Sequence, residues 1–251
     1  MISMIRLALA YICLLATCFL GFIWCLFRPF NPEVLRPVAR ASAILGNFFL
    51  GVKTEIEGEE IFEKNRPAII ISNHQDNIDS FIVGSFYPNR TVTVGKQVLK
   101  WIPFFGQFYW LSGNILIDRS NKRKALKSMN LAAKRVREKN TSVWIMPEGT
   151  RSRGKGLMPF KKGAYHLAVA GELPIIPVSI SSFHKCLNFN KLEAGTVLIK
   201  VHEPISTVGK TKADIDSLLE ESRMIISGGI DELDRQIEMT AKTGRLARSN
   251  S

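Results

Sequence analysis

The residues best placed to do chemistry are His74 and Asp79, in the stretch Asn73-His74-Gln75-Asp76-Asn77-Ile78-Asp79. It follows the apolar run Ala68-Ile69-Ile70-Ile71-Ser72 and precedes a helical apolar pattern, Phe81, Ile82, Val83 and Phe86, so it reads as a strand end, a turn and a helix start. A histidine on such a turn, with a carboxylate five residues on, can have one ring nitrogen held and the other presented outward, which is how a general base is built. No Gly-x-Ser-x-Gly elbow accompanies the pair, so the attacking group expected is the substrate's own hydroxyl. From this stretch alone a second reading stands beside the first: the two side chains cap the helix and do nothing more.

Two other turns carry arginines. Gly113-Asn-Ile-Leu-Ile-Asp-Arg119 ends a strand candidate and leads to a helix start near Ser120-Asn121, where a guanidinium and exposed backbone N–H groups together suit a phosphate. Ile145-Met-Pro-Glu-Gly-Thr-Arg-Ser-Arg-Gly154 repeats the design and presents Glu148, Thr150, Arg151 and Ser152 after a buried strand. Each alone is compatible with an ordinary loop. Open α/β sheets, however, place ligands at the carboxyl ends of their strands, where all three turns are expected.

The elements that must position these turns are legible as alternating short β-rich runs and helical patterns. Strands are expected over 52–56, 68–72, 91–95, 115–117, 142–146, 175–180 and 197–202, with helices over 79–86, 121–139, 163–171 and 212–238, the last broken or kinked near Gly228-Gly229. The alternation predicts an α/β fold with a mixed, largely parallel sheet flanked by helices. Pro174-Ile-Ile-Pro-Val178 reads as a core strand. Trp101–Leu111 is aromatic-rich and uncharged, which suits buried core, a surface facing the membrane, or an acyl-chain groove.

Ahead of this lies a different kind of sequence. Residues 7–27 are uncharged and flanked by Arg6 and Arg28, and as a helix would run about 31 Å, enough to cross a hydrocarbon core. After Pro32 a second amphipathic pattern, with Arg36 and Arg40 on its polar side, suits an interfacial helix. Hydropathy leaves open whether the leader spans the membrane or dips in and returns. The expected organisation is therefore membrane-anchoring helices over 1–50, an α/β domain over 51–240 and a polar tail over 241–251.

The formal charge of +12 is concentrated: segments 1–118, 119–162 and 163–251 carry net +1, +12 and −1. Phosphate-bearing substrate, anionic lipid or nucleic acid are the partners such a segment suggests. Nucleic acid is disfavoured because the aromatics cluster apart from the basic residues. The four cysteines and four histidines lack metal-ligand spacing, so neither metal nor disulfide framework is expected.

Taken together, His74-x4-Asp79, Gly113–Arg119, Pro147-Glu-Gly-Thr-Arg-Ser152 and Pro174-Ile-Ile-Pro177 resemble, in order and spacing, the four motifs of the glycerolipid acyltransferase family, most closely its bacterial members that act on lysophosphatidic acid. Likeness extends to Val94-Gly-Lys96 and Trp101–Gly106. The resemblance implies transfer of a fatty acyl group from acyl-CoA or acyl carrier protein to the 2-hydroxyl of lysophosphatidic acid, with no cofactor. It implies His74 as base and Asp79 as its orienting carboxylate. It places Arg119, Glu148, Gly149, Thr150 and Arg151 at the glycerol phosphate, with Glu148 positioning hydroxyls or loops. Lys96 would assist the phosphate or the thioester oxyanion, and a plain surface lysine is the equal alternative. A bacterial inner-membrane enzyme with its site facing the cytoplasm follows from the same likeness. Asp76 departs from the usual motif and sets a second carboxylate near His74. Other acceptors, glycerol-3-phosphate or another lysolipid, remain open, as does a non-catalytic protein that binds anionic lipid.

Overall fold

A computed structural model describes residues 2–117, 133 and 136–249. Seven strands form one sheet in the order β1-β7-β6-β2-β5-β3-β4, with β1 Val52–Glu57, β2 Ile69–Ser72, β3 Thr91–Lys96, β4 Ile115–Ile117, β5 Ser142–Ile145, β6 Ile175–Ile180 and β7 Gly195–Val201. The five strands β2 to β6 run parallel, while β7 is antiparallel to β6 and carries β1 parallel to itself. The sheet is thus mixed and largely parallel, and every expected strand is present with ends moved by at most two residues. β2, β5 and β6 are buried along their whole length, which is why they read as continuous apolar runs rather than alternating ones.

The strand order sorts the helices. From β2 to β3 to β4 the chain steps one way across the sheet, and from β4 to β5 to β6 it steps back. Parallel crossovers are right-handed, so the two sets of connections cover opposite faces. After the short α3 (Glu60–Lys64) between β1 and β2, one face carries α4 (Asp79–Gly84) and α5 (Phe105–Leu111), joined by the N-terminal helices α1 (Ile2–Phe27) and α2 (Leu35–Leu50), with α2 packed on α4 and α1 on α5. On the other lie α6 (Gly163–Gly171) and α8 (Ile215–Ser249), with α8 packed on α6, on β6 and on the short α7 (Phe183–Cys186). Arg137, the residue after Val136 in the helix end before β5, reaches the Gly171 carbonyl at 3.2 Å, on this second face.

Both N-terminal helices therefore lie along the α/β domain. Arg6, near the start of α1, is buried and donates to the carbonyls of Phe49 (2.7 Å), Lys191 (2.5 Å) and Leu192 (2.8 Å). Further along, Phe19 meets Phe104 edge-on at 5.1 Å, and just beyond α1 Phe30 meets Trp110 at 5.5 Å. The outer side of this layer is apolar, with Phe27 81%, Phe48 77% and Trp101 73% exposed. The aromatic segment thus divides: Phe108 and Tyr109 enter the core, whereas Trp101, Phe104 and Trp110 continue the apolar surface of α1.

The expected break near Gly228-Gly229 does not occur, since α8 runs unbroken through it and on through residues 241–249 of the expected tail. Gly229 is needed for approach rather than for bending: a Cβ there would sit 2.6 Å from His202 Nε2 and collide with the Ser179 hydroxyl. Most of the expected helix 121–139, and Arg119, lie outside the described residues.

Candidate functional site

The parallel strands deliver their following turns to one edge of the sheet, and His74 sits immediately beyond the end of β2. Three separate contacts hold it. Its Nδ1 lies 2.5 Å from Asp79 Oδ2, in the first turn of α4. Its backbone N–H donates to Glu148 Oε1 at 2.6 Å, and its carbonyl accepts from Ser152 N–H at 2.9 Å. On either side, Asn73 and Gln75 use their amides as extra rungs against β6 and the residues after it. Asn73 exchanges two hydrogen bonds with the Ile180 backbone, at 2.8 and 2.9 Å. Gln75 donates to the Ser181 carbonyl at 2.8 Å and accepts from Phe183 N–H at 2.9 Å. The sequence reading passed over both amides; the signal was a candidate base flanked by two side chains able to pair with backbone.

Asp79 is 2% exposed, and its Oδ2 also accepts from the N–H groups of Gln75 (2.8 Å) and Asp76 (3.0 Å), while Oδ1 is buried without a partner among the described residues. Burial pushes this carboxyl above the usual carboxylate range, and its bonds from His74 and the backbone pull it back only in part. A carboxylate at Nδ1 fixes the tautomer with the proton on that nitrogen, leaving Nε2 as the acceptor. The second carboxylate does not compete, since Asp76 is exposed and accepts from Asn77 N–H at 2.5 Å.

Glu148 is likewise 2% exposed, and each oxygen takes one backbone donor: His74 N–H, and Met158 N–H at 3.0 Å. Burial raises its carboxyl above the ordinary range, with those two bonds opposing. Of the two roles expected for it, hydroxyls or loops, the geometry is that of a loop brace, joining the β2 and β5 turns. Gly149 follows in the left-handed region at φ 67°, a turn that a Cβ would strain. Thr150 and Arg151 are exposed beyond it, and Arg153 N–H donates to the Gln75 carbonyl at 3.0 Å, closing the two turns into one unit. Lys96 ends β3, two strands from β2 and so on the order of 10 Å to the side; it is exposed and registers with Ile117, two residues before Arg119. The structure thus brings His74, Asp79, Glu148, Gly149, Thr150 and Arg151 together and sets Lys96 at the same edge. Chemically the arrangement can take a proton at Nε2 and offer cations beside it.

Comparison with known proteins bears on this site. The sequence profile of the Acyltransferase family matches residues 53–181. The chain is 41% identical, over 94% of its own length and 98% of the relative's, to the 1-acyl-sn-glycerol-3-phosphate acyltransferase of Haemophilus influenzae. It is 39% identical to the protein of the same name from Escherichia coli, over 98% of this chain and 100% of that one. The crystal structure of the 1-acyl-sn-glycerophosphate (LPA) acyltransferase of Thermotoga maritima superposes with a TM-score of 0.73 at 21% identity, covering 92% of this chain and 95% of that one, and so shares its fold.

Proposed function

The chain belongs to the acyltransferase family, and on that premise we propose that it moves a fatty acyl group from a thioester, acyl-CoA or acyl carrier protein, to the 2-hydroxyl of lysophosphatidic acid, giving phosphatidic acid. The observation that carries this reading is the His74–Asp79 contact at 2.5 Å, with no hydrogen-bond partner for Nε2 among the described residues, at the carboxyl-end edge of a parallel sheet. His74 Nε2 takes the proton of the acceptor hydroxyl as its oxygen attacks the thioester carbonyl. The tetrahedral intermediate then collapses, the C–S bond breaks, and the proton passes from His74 to the departing sulfur to give the free thiol. Asp79 holds the ring and stabilises its charged form during that interval. Arg151, with Lys96 and Arg119, supplies positive charge for the acceptor's phosphate, while Glu148 fixes the turn. No covalent acyl-enzyme is required, because holding two substrates in reacting geometry can itself contribute about 7 kcal/mol or more.

The apolar outer layer of α1, α2 and α5 supports a membrane surface as the source of the acceptor. In this reading α1 lies along the domain at the bilayer boundary, on the cytoplasmic side of a bacterial inner membrane. The test is thiol release from acyl-CoA by detergent-solubilised protein, with and without lysophosphatidic acid, beside His74→Ala. Release should need both the lysolipid and His74, while the variant still sediments with anionic vesicles. Full activity of His74→Ala would overturn the mechanism.

A further inference from the structure

The face opposite the apolar helices holds a cavity of about 250 Å³ beside the His74 turn. Its walls include Asn73 and Gln75, which flank His74, with Ser152 and Gly156 from the next turn, Ser182 before α7 and Ser227 of α8. The lining mixes these hydroxyls and amides with the apolar Leu157 and Ile230 and with the carboxylates of Glu148, Asp231 and Asp234, and the space is too small for a lipid tail together with a headgroup. Asp234 on the α8 side is already engaged, accepting from Ser182 N–H at 2.8 Å and pairing with Lys185 at 3.4 Å.

The turn at the rim of this cavity is basic, and among the described residues none of its cations forms an ion pair. Arg151, Arg153, Lys155 and Lys161 are exposed. Glu148 is the only acid between residues 139 and 171, and both its oxygens are bound to backbone. Four cations elsewhere on this face are paired: Arg137 with Glu172, Lys162 with Asp216, Lys185 with Glu238 and Lys200 with Glu232. Gly154 and Gly156 adopt φ 82° and 77° with open space where a Cβ would be, so the turn is left-handed and unobstructed.

We propose that cavity and turn form the donor subsite: the cavity takes the amide-bearing pantetheine arm of the thioester, and Arg153 and Lys155 hold the phosphate that ends that arm. The inference rests on the acyl-transfer reading. The acceptor's tail must stay on the apolar face, so the donor, which is water-borne, enters from the opposite face, and the two meet at His74. The phosphopantetheine group is common to acyl-CoA and acyl carrier protein, and is what this site reads in either.

The test compares KM for acyl-CoA, acyl carrier protein and acyl-pantetheine, which lacks the phosphate, in wild type, in Arg153→Gln/Lys155→Gln and in Ser227→Phe. Loss of two charge-assisted contacts should raise KM about tenfold or more for acyl-CoA and acyl carrier protein alike, leaving KM for acyl-pantetheine and for lysophosphatidic acid unchanged. Filling the cavity with Ser227→Phe should raise KM for all three thioesters and not for the lysolipid. A raised KM for lysophosphatidic acid, or unchanged donor KM values in both variants, overturns the subsite. A rise for only one phosphate-bearing donor also overturns it, and assigns the turn to the nucleotide of CoA or to the carrier's acidic surface instead. Absence of thiol release by wild type with both donors would instead sink the acyl-transfer reading itself.

Discussion

Replacing Glu148 by Gln separates a brace from a substrate ligand. Each Glu148 oxygen accepts one main-chain N–H, from His74 at 2.6 Å and from Met158 at 3.0 Å, in a position 2% exposed. An amide can satisfy only one of them, and its NH2 must face the other N–H. A buried donor left unsatisfied costs about 1–3 kcal/mol. In a chain of this size that lowers Tm by about 3–10 °C. Because one of the two donors belongs to His74 itself, the register of the base slips, and kcat falls while KM for lysophosphatidic acid stays near its wild-type value. Differential scanning fluorimetry and steady-state thiol release read the two effects on one preparation. An unchanged Tm with a raised KM would refute the brace and return Glu148 to the acceptor.

Asp79→Asn can keep an oxygen where Oδ2 accepts its three bonds but loses the charge behind the ring, so kcat should fall by about 10²–10⁴, and a rate within roughly threefold of wild type would contradict the orienting role. Gly46→Val drives a side chain into the Phe81 ring, 2.5 Å from its Cε1 before any relaxation, where α2 packs on α4, and overpacking of this kind costs about 1–3 kcal/mol, visible as a lower Tm. Burial and the nearby Lys200 hold His202 below its ordinary range. The unfolded chain therefore takes up that proton first as pH falls below about 6.5. Stability from this group is complete above that pH and declines below it, so Tm should drop from pH 7.5 to 5.5, by less in His202→Gln.

The strands were legible because buried parallel strands must be β-branched and apolar without interruption, as in Ile69-Ile70-Ile71. The His74–Asp79 pair was legible because five residues of turn and helix bring the two side chains together locally. What surrounds the pair was not. Asn73 and Gln75 bond to backbone more than 100 residues away, and Glu148 reaches His74 across 74 residues, so neither pattern nor propensity marks them. Gly228-Gly229 misled for the opposite reason: intrinsic propensity reads glycines as a break, whereas the close approach of Ser179 and His202 makes Gly229 a packing requirement inside a continuous helix. The aromatic segment divides because its short helix turns Phe108 and Tyr109 into the core and leaves Trp101, Phe104 and Trp110 exposed, a split that composition alone does not mark.

The Arg6 latch also sets an order of events during synthesis. Its acceptors at Lys191 and Leu192 lie 185 and 186 residues downstream. At roughly 5–20 residues per second the ribosome needs about 10–40 s to make that stretch. For that interval Arg6 waits without the 191–192 carbonyls, although α2 and α5, on which α1 packs, and the Phe49 carbonyl are already made. The N-terminal end of α1 is thus the last part of that helix to be fastened in full to the domain.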